Sequence, residues 1–456
     1  MKKYSTQFWV SFVIVSVISL TGWFIFWEVK NQGFGSLKRM LGLVPISQET
    51  RADLETVISL ADAVLSTQGQ EKVFLILFQN NLELRPGGGF IGSFGILKIK
   101  DGTVTDLAIH DTGNFDGRIP STVLPPYPMK ETLGINSWKF RDSNYSPDFP
   151  LNAKQAELFY QMGQGQEQFD GVVAITTNVL SSFLRVTGPV TLEGFPGTYG
   201  ADNAVLDLEY QVEQGYLRQD IAFGDRKSVM SILGFEILKQ VKELSFSKKY
   251  ELFQVILDDL RSKDIQLAFK DELLQEEIAF SGWDGKVDEK WRNDYLLLVD
   301  ANLNSFKSDY YMKRSYAYTI DLSSEIPQAS LAVTYKNTAK IKDWFAKDYQ
   351  TFLRVYIPQG SYIKTVQGAS KAPVYGEDFN KKYVGVIVHI PILSEKTVTF
   401  EYTLPSDFNR EWYDLKIQKQ SGLSDVPISV TVIKKDGSKE EKNMILNQDQ
   451  VLSESE

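Results

Sequence analysis

One glycine-rich segment of this 456-residue chain has the residue types of a phosphate site. Residues 79–93 read QNNLELRPGGGFIGS, so Arg85 is followed closely by Gly87, Gly88 and Gly89. Consecutive glycines let backbone N–H groups surround an anion, and an arginine can add a two-pronged contact to phosphate. The segment lacks the Gly-Lys-Ser/Thr ending of a P-loop. A bulged strand connection, in which the glycines serve only backbone geometry, explains the pattern equally well.

A second candidate is the aperiodic stretch 138–150, WKFRDSNYSPDFP. Here Arg141 could position a phosphate and Asp142 could hold a hard cation such as Mg²⁺. A local Arg–Asp pair with a helix cap is the structural alternative. Asp111, at the end of a predicted strand, is a further candidate for catalysis and for Mg²⁺. Arg218 and Arg226 precede a predicted helix, whose N-terminus could add to phosphate binding; a cap and solvated charges would produce the same pattern.

The composition excludes several kinds of chemistry. The chain has no cysteine and only two histidines, His110 and His389, which excludes disulfides, thiolate zinc sites and sites with three histidines. No Gly-x-Ser-x-Gly elbow supports serine catalysis. The net charge of −9, without a block of Lys or Arg, argues against a nucleic-acid partner.

The N-terminus has the pattern of a membrane anchor. Residues 8–27 contain no charged residue, and 20 residues of helix span roughly 30 Å, the thickness of a bilayer core. Trp9, Trp23 and Trp27 lie near the two ends of the run, where interfacial aromatic residues are common. Lys and Arg are nearly balanced on the two sides. The short leading tail favours an uncleaved signal anchor on the cell membrane, with the bulk of the chain extracytoplasmic.

Hydrophobic periodicity predicts two folded parts after this anchor and linker (1–45). Helical stripes and short strands in 46–290 predict an α/β domain with a covered mixed sheet, including a hairpin at Asp101-Gly102 and a helix capped by Ser47. Seven short strand patterns in 291–447 predict an all-β, sandwich-like domain. The polar end, 448–456, is predicted to be a disordered tail.

Four stretches resemble the bacterial family known as domain of unknown function 4012. They are FQNNLELRPGGGFIGSFG, RDSNYSPDFP, FDGVVAITTNVLSSFLRVTGPV and NDYLLLVDANLNSFKSDYYMKR, which together cover about residues 70–315. The resemblance implies a single-pass envelope protein. The family carries no assigned activity.

A remoter likeness is to the LytR–CpsA–Psr family, which transfers glycopolymers from polyprenyl-pyrophosphate lipids to the cell wall. FDGVVAITTNVLSSFLRVTGPVTLEG is similar to a strand–helix unit of that family, and DLAIHDTGN to its strand end, with Asp111 at the position of the magnesium-binding aspartate. His110 stands where that family has an arginine. Arg85 matches an upstream arginine, and FGDRKSVMSILGFEIL is loosely similar to an arginine-rich segment.

These observations leave two hypotheses from different classes. In the first, the chain binds a phosphate-linked envelope glycopolymer or its polyprenyl-phosphate lipid. An enzymatic version of this hypothesis adds transfer of the polymer. Asp111, Arg85 and Arg141 would then be catalytic, Gly87–Gly89, Arg218 and Arg226 would hold the ligand, and Asp111 and Asp142 would bind Mg²⁺. In the second, the chain is a non-catalytic envelope scaffold or adhesion module. The first predicts that these charges converge in one pocket, and the second that they form separate local pairs.

Overall fold

The computed structural model describes residues 35–42, 44–67, 69–406, 408 and 413–453. The predicted anchor at residues 8–27 lies outside the described residues. Within them, no helix combines the length and the apolar character needed to cross a bilayer.

The first part of the chain is an α/β unit. Its elements are α1 (Gly35–Leu41), α2 (Gln48–Leu65), β1 (Lys72–Asn80), β2 (Phe90–Lys100), β3 (Thr103–Asp111), α3 (Thr112–Asp116), α4 (Met129–Leu133), α5 (Phe149–Met162), β4 (Gly171–Thr176), α6 (Thr177–Thr187), α7 (Ala204–Glu213), α8 (Ser228–Glu243), α9 (Phe246–Arg261), β5 (Ile265–Phe269) and α10 (Glu272–Phe280). The strands form one mixed sheet in the order β3-β2-β1-β4-β5, in which β1 and β4 run parallel.

Alternation along β1 explains why this sheet is covered on both faces. Leu75 and Leu77 belong to a core with α5, whereas Phe74 and Ile76 pack on the other side with Val64 of α2. The local signals behave as predicted. Asp101 and Gly102 both have positive φ, as a type I′ turn requires, and Ser47 accepts a hydrogen bond from the backbone N–H of Thr50.

The second part is rich in β-strands. These are β6 (Asp294–Asn302), β7 (Met312–Asp321), β8 (Gln328–Asn337), β9 (Tyr349–Pro358), β10 (Tyr362–Gln367), β11 (Val374–Asp378), β12 (Lys381–Ile390), β13 (Ser394–Thr403), β14 (Asp414–Gln418), β15 (Val426–Ile433), β16 (Lys439–Leu446) and β17 (Gln450–Ser453). They form two six-stranded sheets, β10-β13-β8-β7-β15-β16 and β11-β12-β9-β6-β14-β17. Side chains from both sheets contribute to one large apolar core. An α/β part followed by a β-rich part is therefore confirmed.

The end of the chain corrects one prediction. Residues 448–456 were expected to form a disordered tail, but β17 (Gln450–Ser453) pairs antiparallel with β14. Residues 454–456 lie outside the described residues. Asp449 also accepts hydrogen bonds from the Lys263 side chain at 2.6 Å and from the backbone N–H of Lys419 at 2.8 Å. A polar composition does not prevent ordering when a neighbouring strand and a buried lysine supply the partners.

Candidate functional site

Arg85 lies where the α/β unit meets the β-rich part. Its side chain is 1% exposed. Its Nε donates to Asp142 at 2.9 Å, one Nη donates to Glu83 at 2.8 Å, and the other donates to the carbonyl of Asn302 in β6 at 2.9 Å. Burial acts to lower the pKa of Arg85, but the two carboxylates outweigh it and raise that pKa above its usual range. The guanidinium is thus occupied by the protein itself.

The three glycines let backbone segments approach one another closely. The N–H of Gly87 donates to the carbonyl of Asn144 at 3.0 Å, and that of Gly88 donates to the carbonyl of Arg85 at 2.9 Å. Gly88 has φ +131°, and a Cβ there would meet the side chains of Gln79 and Ser421. The N–H groups of Gly87 and Gly88 that were expected to surround a phosphate therefore bind carbonyls inside the protein.

Arg141 and Asp142 are adjacent in sequence but have different partners. Arg141 is 40% exposed and donates to the buried carboxylate of Asp116 at 2.5 Å. Burial raises the pKa of Asp116, although Arg141 acts against that shift. Asp142 instead faces Arg85. The helix cap of the structural alternative is present, since Asp148 accepts from the backbone N–H of Leu151. The charge pairs are not local, because Arg141 and Asp142 bind Asp116 and Arg85.

Asp111 and Arg226 do come together, through a residue that the sequence analysis did not single out. The Nζ of Lys227 lies 2.7 Å from Asp111, and an Nη of Arg226 lies 3.7 Å from it. Burial acts to raise the pKa of Asp111, but the hydrogen bond and charge of Lys227 outweigh it and lower that pKa. Asp111 also caps α3 by accepting from Asn114. Arg218 is exposed on a separate 3₁₀ turn.

The predicted site residues thus form three separate clusters around Arg85, Arg141 and Asp111. In the described part of the chain, no group of three or more His, Asp or Glu residues is arranged to hold a metal ion. The fit for Mg²⁺ is poor at Asp111 and Asp142, because a cationic side chain already lies against each carboxylate.

A cavity of about 270 Å³ lies beside the Asp111 cluster, between the sheet and helices α6, α7 and α8. Its wall is mostly apolar, and it includes Phe78, Leu180, Phe183, Leu208, Met230, Leu233 and Ile237. The stripes of α6 and α8 that face the sheet supply most of these side chains. Gly234, in the middle of α8, also lines the cavity and leaves room, since a Cβ there would meet nothing within 4 Å.

Charged groups line one part of this cavity. Lys227 enters from the start of α8, and Lys307 enters from the β-rich part, 3.6 Å from Glu209 and 3.5 Å from Glu213. Burial raises the pKa of Glu209 to about 7, and burial lowers the pKa of Lys227. Burial acts to lower the pKa of Lys307, but the neighbouring carboxylates outweigh it and raise that pKa. Two lysines and two glutamates thus line the charged part of the cavity, and Glu209 also accepts a hydrogen bond from Asn80 at 2.6 Å.

Gln79, at the end of β1, is a buried polar residue next to the cavity. Its amide lies against the glycine-rich segment, because a Cβ on Gly88 would meet its Oε1. The residue is 1% exposed, and neither amide atom has a hydrogen-bond partner among the described residues. Its amide therefore belongs to the junction around Gly88 and Ser421.

The sequence of α8 carries a signal for this cavity that the predicted site residues do not include. Apolar residues of α8 occur on more than one side of the helix, which is typical of a helix that contacts something on each face. Gly234 lies in the middle of that continuous helix, although glycine is a poor helix former. Cavity-wall residues also occur in stretches quoted above for family resemblance: Leu180 and Phe183 in FDGVVAITTNVLSSFLRVTGPV, and Lys307 in NDYLLLVDANLNSFKSDYYMKR.

A known protein family matches the part of the chain that contains the glycine-rich segment. Residues 69–212 match the family described as "Protein of unknown function (DUF4012)". The resemblance expected from the glycine-rich segment is therefore confirmed over this range. The matched region runs from just before β1 to the last turn of α7. It includes one wall of the cavity but neither α8 nor Lys307.

None of the curated proteins matches the chain. Among solved structures, gbs0355 of Streptococcus agalactiae is 14% identical, with 49% of this chain and 76% of that chain covered and a TM-score of 0.30. Lin1025 of Listeria innocua is 12% identical, with 47% and 79% covered and a TM-score of 0.27. The protein lpg2210 of Legionella pneumophila is 13% identical, with 27% of this chain and 50% of that chain covered and a TM-score of 0.20. The chain therefore spans half of that protein's length. At these TM-scores the likenesses carry no argument about fold or function.

Proposed function

We propose that this chain is a membrane-anchored, extracytoplasmic envelope protein that binds a phosphate-bearing polyprenyl lipid. In this proposal, residues 8–27 form the anchor, and the β-rich part is a sandwich-like domain that supplies Lys307. The observation that carries the proposal is the apolar cavity with Lys227 and Lys307 in its wall.

The wall chemistry suits an amphiphile. An isoprenoid segment would remove apolar surface from water at roughly 25 cal/mol per Å². The cavity volume of about 270 Å³ is close to the lower end of known ligand pockets, so it would hold one part of a long chain. The phosphate would lie against Lys227 and Lys307.

The proposal is limited to binding. The arginines expected to act in transfer, Arg85 and Arg141, are paired with carboxylates and do not line the cavity. Mg²⁺ is likewise not included, because lysine and arginine already neutralise the two candidate carboxylates.

The scaffold hypothesis also has a specific observation in its favour. Arg85, Gly88 and Asn81 connect the α/β unit to Asn302, Ser421 and Gly422 of the β-rich part through buried contacts. A motif used in this way holds two domains in one arrangement. This scaffold role is compatible with lipid binding but does not require it.

The test measures binding of a fluorescent polyprenyl pyrophosphate analogue to the full chain in detergent micelles. Gly234→Leu should place an apolar side chain in the open space next to residue 234 and weaken binding about tenfold or more, equivalent to at least ~1.4 kcal/mol. Gly234→Ala, the matched control, should bind nearly as the wild type does. Equal affinity of the Leu variant and the wild type would place the ligand elsewhere and leave the scaffold hypothesis ahead.

The second arm tests the headgroup. Lys227→Met should weaken binding of the pyrophosphate analogue by roughly tenfold, because a charge-assisted hydrogen bond contributes about 1.5–3 kcal/mol. It should leave binding of the uncharged polyprenol unchanged. Lys248→Met, on the exposed start of α9, is the control. If both ligands lose affinity equally, the lysine supports the cavity and does not contact phosphate.

A further inference from the structure

Helix α8 is apolar on its outer face as well as on its inner face. Val229, Leu233 and Ile237 are buried against the α/β unit. On the other side, Ile232, Phe235 and Leu238 are 40%, 53% and 42% exposed. A helix that is apolar all round normally has an apolar environment on each side. The outer environment of α8 is supplied by no part of the described chain.

Lysines lie between these exposed apolar residues. Lys239 and Lys242 are exposed, and helical spacing places them on the same outer face as Phe235 and Leu238. Residues 217–250 contain seven Lys or Arg and four Asp or Glu. Of these, Arg226 and Lys227 lie against Asp111, and Lys239 lies 3.1 Å from Glu236 but remains 65% exposed. Exposed Leu217, Phe223 and Phe246 flank the helix in sequence, with 65%, 63% and 88% exposure.

We infer that the outer face of α8 lies on an anionic lipid surface. Apolar side chains enter the headgroup boundary, while lysine stems extend along them and keep the ammonium groups among lipid phosphates. A protein partner fits less well, because protein interfaces are depleted in lysine and this face carries lysine among its apolar residues. The occupant we propose is thus a bilayer containing acidic phospholipid.

This arrangement would place the cavity directly behind the helix that touches lipid. Leu233 and Ile237 line the cavity from one face of α8, and Phe235 and Leu238 project from the other. The helix is about 10 Å thick with its side chains. The inference goes beyond the proposed function, since the face would bind lipid whatever occupies the cavity.

The absence of cysteine makes a direct test possible in the full chain. Phe235→Cys carries an environment-sensitive fluorophore on the outer face of α8. Leu273→Cys, at the start of α10 and 75% exposed, carries the same fluorophore as the matched control. The protein is reconstituted in vesicles of phosphatidylcholine with or without phosphatidylglycerol, and quenching by doxyl-labelled lipid is measured.

The expected result is strong quenching at position 235 in vesicles that contain phosphatidylglycerol, and little at position 273. Combining Lys239→Glu with Lys242→Glu should reduce that quenching, because like charges would face the lipid. Equal quenching at the two positions would overturn the inference. So would a label at position 235 that is shielded from water but not quenched, since a second copy or another segment of the chain would then cover the face. Ligand binding to the cavity is scored separately by the Gly234 variants.

Discussion

The glycine-rich segment and the cavity share the end of strand β1, but their polar groups are paired in different ways. In the glycine-rich segment, Arg85 has three strong partners and no access to solvent. In the cavity, Lys307 is no closer than 3.5 Å to its carboxylates, although Lys227 lies 2.7 Å from Asp111. Binding sites need groups that can exchange one partner for another. The region with the most distinctive sequence is therefore the one best suited to holding the fold, and the cavity is the one suited to a ligand.

The largest expected effect would test the structural side of this comparison. Arg85→Met should lower the free energy of unfolding by roughly 3–5 kcal/mol, because Glu83 and Asp142 would remain buried without their cation. Chemical denaturation of the full chain in detergent measures it. Arg218→Met, at an exposed arginine, should change stability by less than about 0.5 kcal/mol. A stable Arg85→Met protein that has lost only ligand binding would reverse the roles assigned to the two regions.

Gly88→Ala should have the next largest effect, a loss of roughly 2–3 kcal/mol. The alanine would hold a strained φ near +131° and press on Gln79 and Ser421. Gly224→Ala, where a Cβ meets nothing within 4 Å, is the control and should be nearly neutral. If the two variants are equally stable, close backbone approach is not what the glycine-rich segment requires.

The pH dependence of stability tests the cavity in this comparison. Glu209 has a pKa of about 7 in the folded protein against an ordinary value of 4.5. Between these values the unfolded chain releases a proton that the folded protein retains, so the free energy of unfolding should fall as pH rises from 4.5 to 7. The fall attributable to Glu209 should be about 2 kcal/mol, since its side chain remains 17% exposed.

Glu209→Gln should remove this component of the pH profile, which urea unfolding at several pH values would reveal. Binding of the pyrophosphate analogue should also strengthen in the wild type as pH falls below 7, because a protonated Glu209 no longer repels phosphate. A wild-type profile that matches the Gln variant would mean that Glu209 is ionised and well paired, as in the glycine-rich segment.

The smallest effect is a gain. Gly234→Ala should stabilise the protein by about 0.5–1 kcal/mol, because alanine favours the helix and its Cβ enters open space. Thermal unfolding in the same detergent measures it. A loss of stability would show that the wall at Gly234 is already closely packed and that the cavity is smaller than described.

Local signals in the sequence were sufficient for much of the fold. The Asp101-Gly102 turn and the Ser47 cap each depend on neighbours within a few positions, and each occurs as predicted. The tail was predicted incorrectly because β14, its partner strand, lies more than 30 residues earlier in the chain.

The site could be predicted only in part, since residue type does not say which partner a charge will find. Arg85 and Gly87–Gly89 were recognised as unusual, but a phosphate loop and a buried domain junction use the same residues. Which of these two roles the segment has depends on contacts with Asn302 and Ser421, which are more than 200 positions away in sequence.

The sequence by itself determined the order of an α/β part and a β-rich part, the match to the 4012 family and the exclusion of cysteine chemistry. Only the tertiary structure decided that Arg85 is fully paired, that Lys227 joins Asp111, and that α6, α7 and α8 leave a cavity against the sheet. The physical reason is range: turns, caps and periodicity are set by local backbone energetics, whereas burial and charge pairing depend on contacts that exist only once the chain is folded.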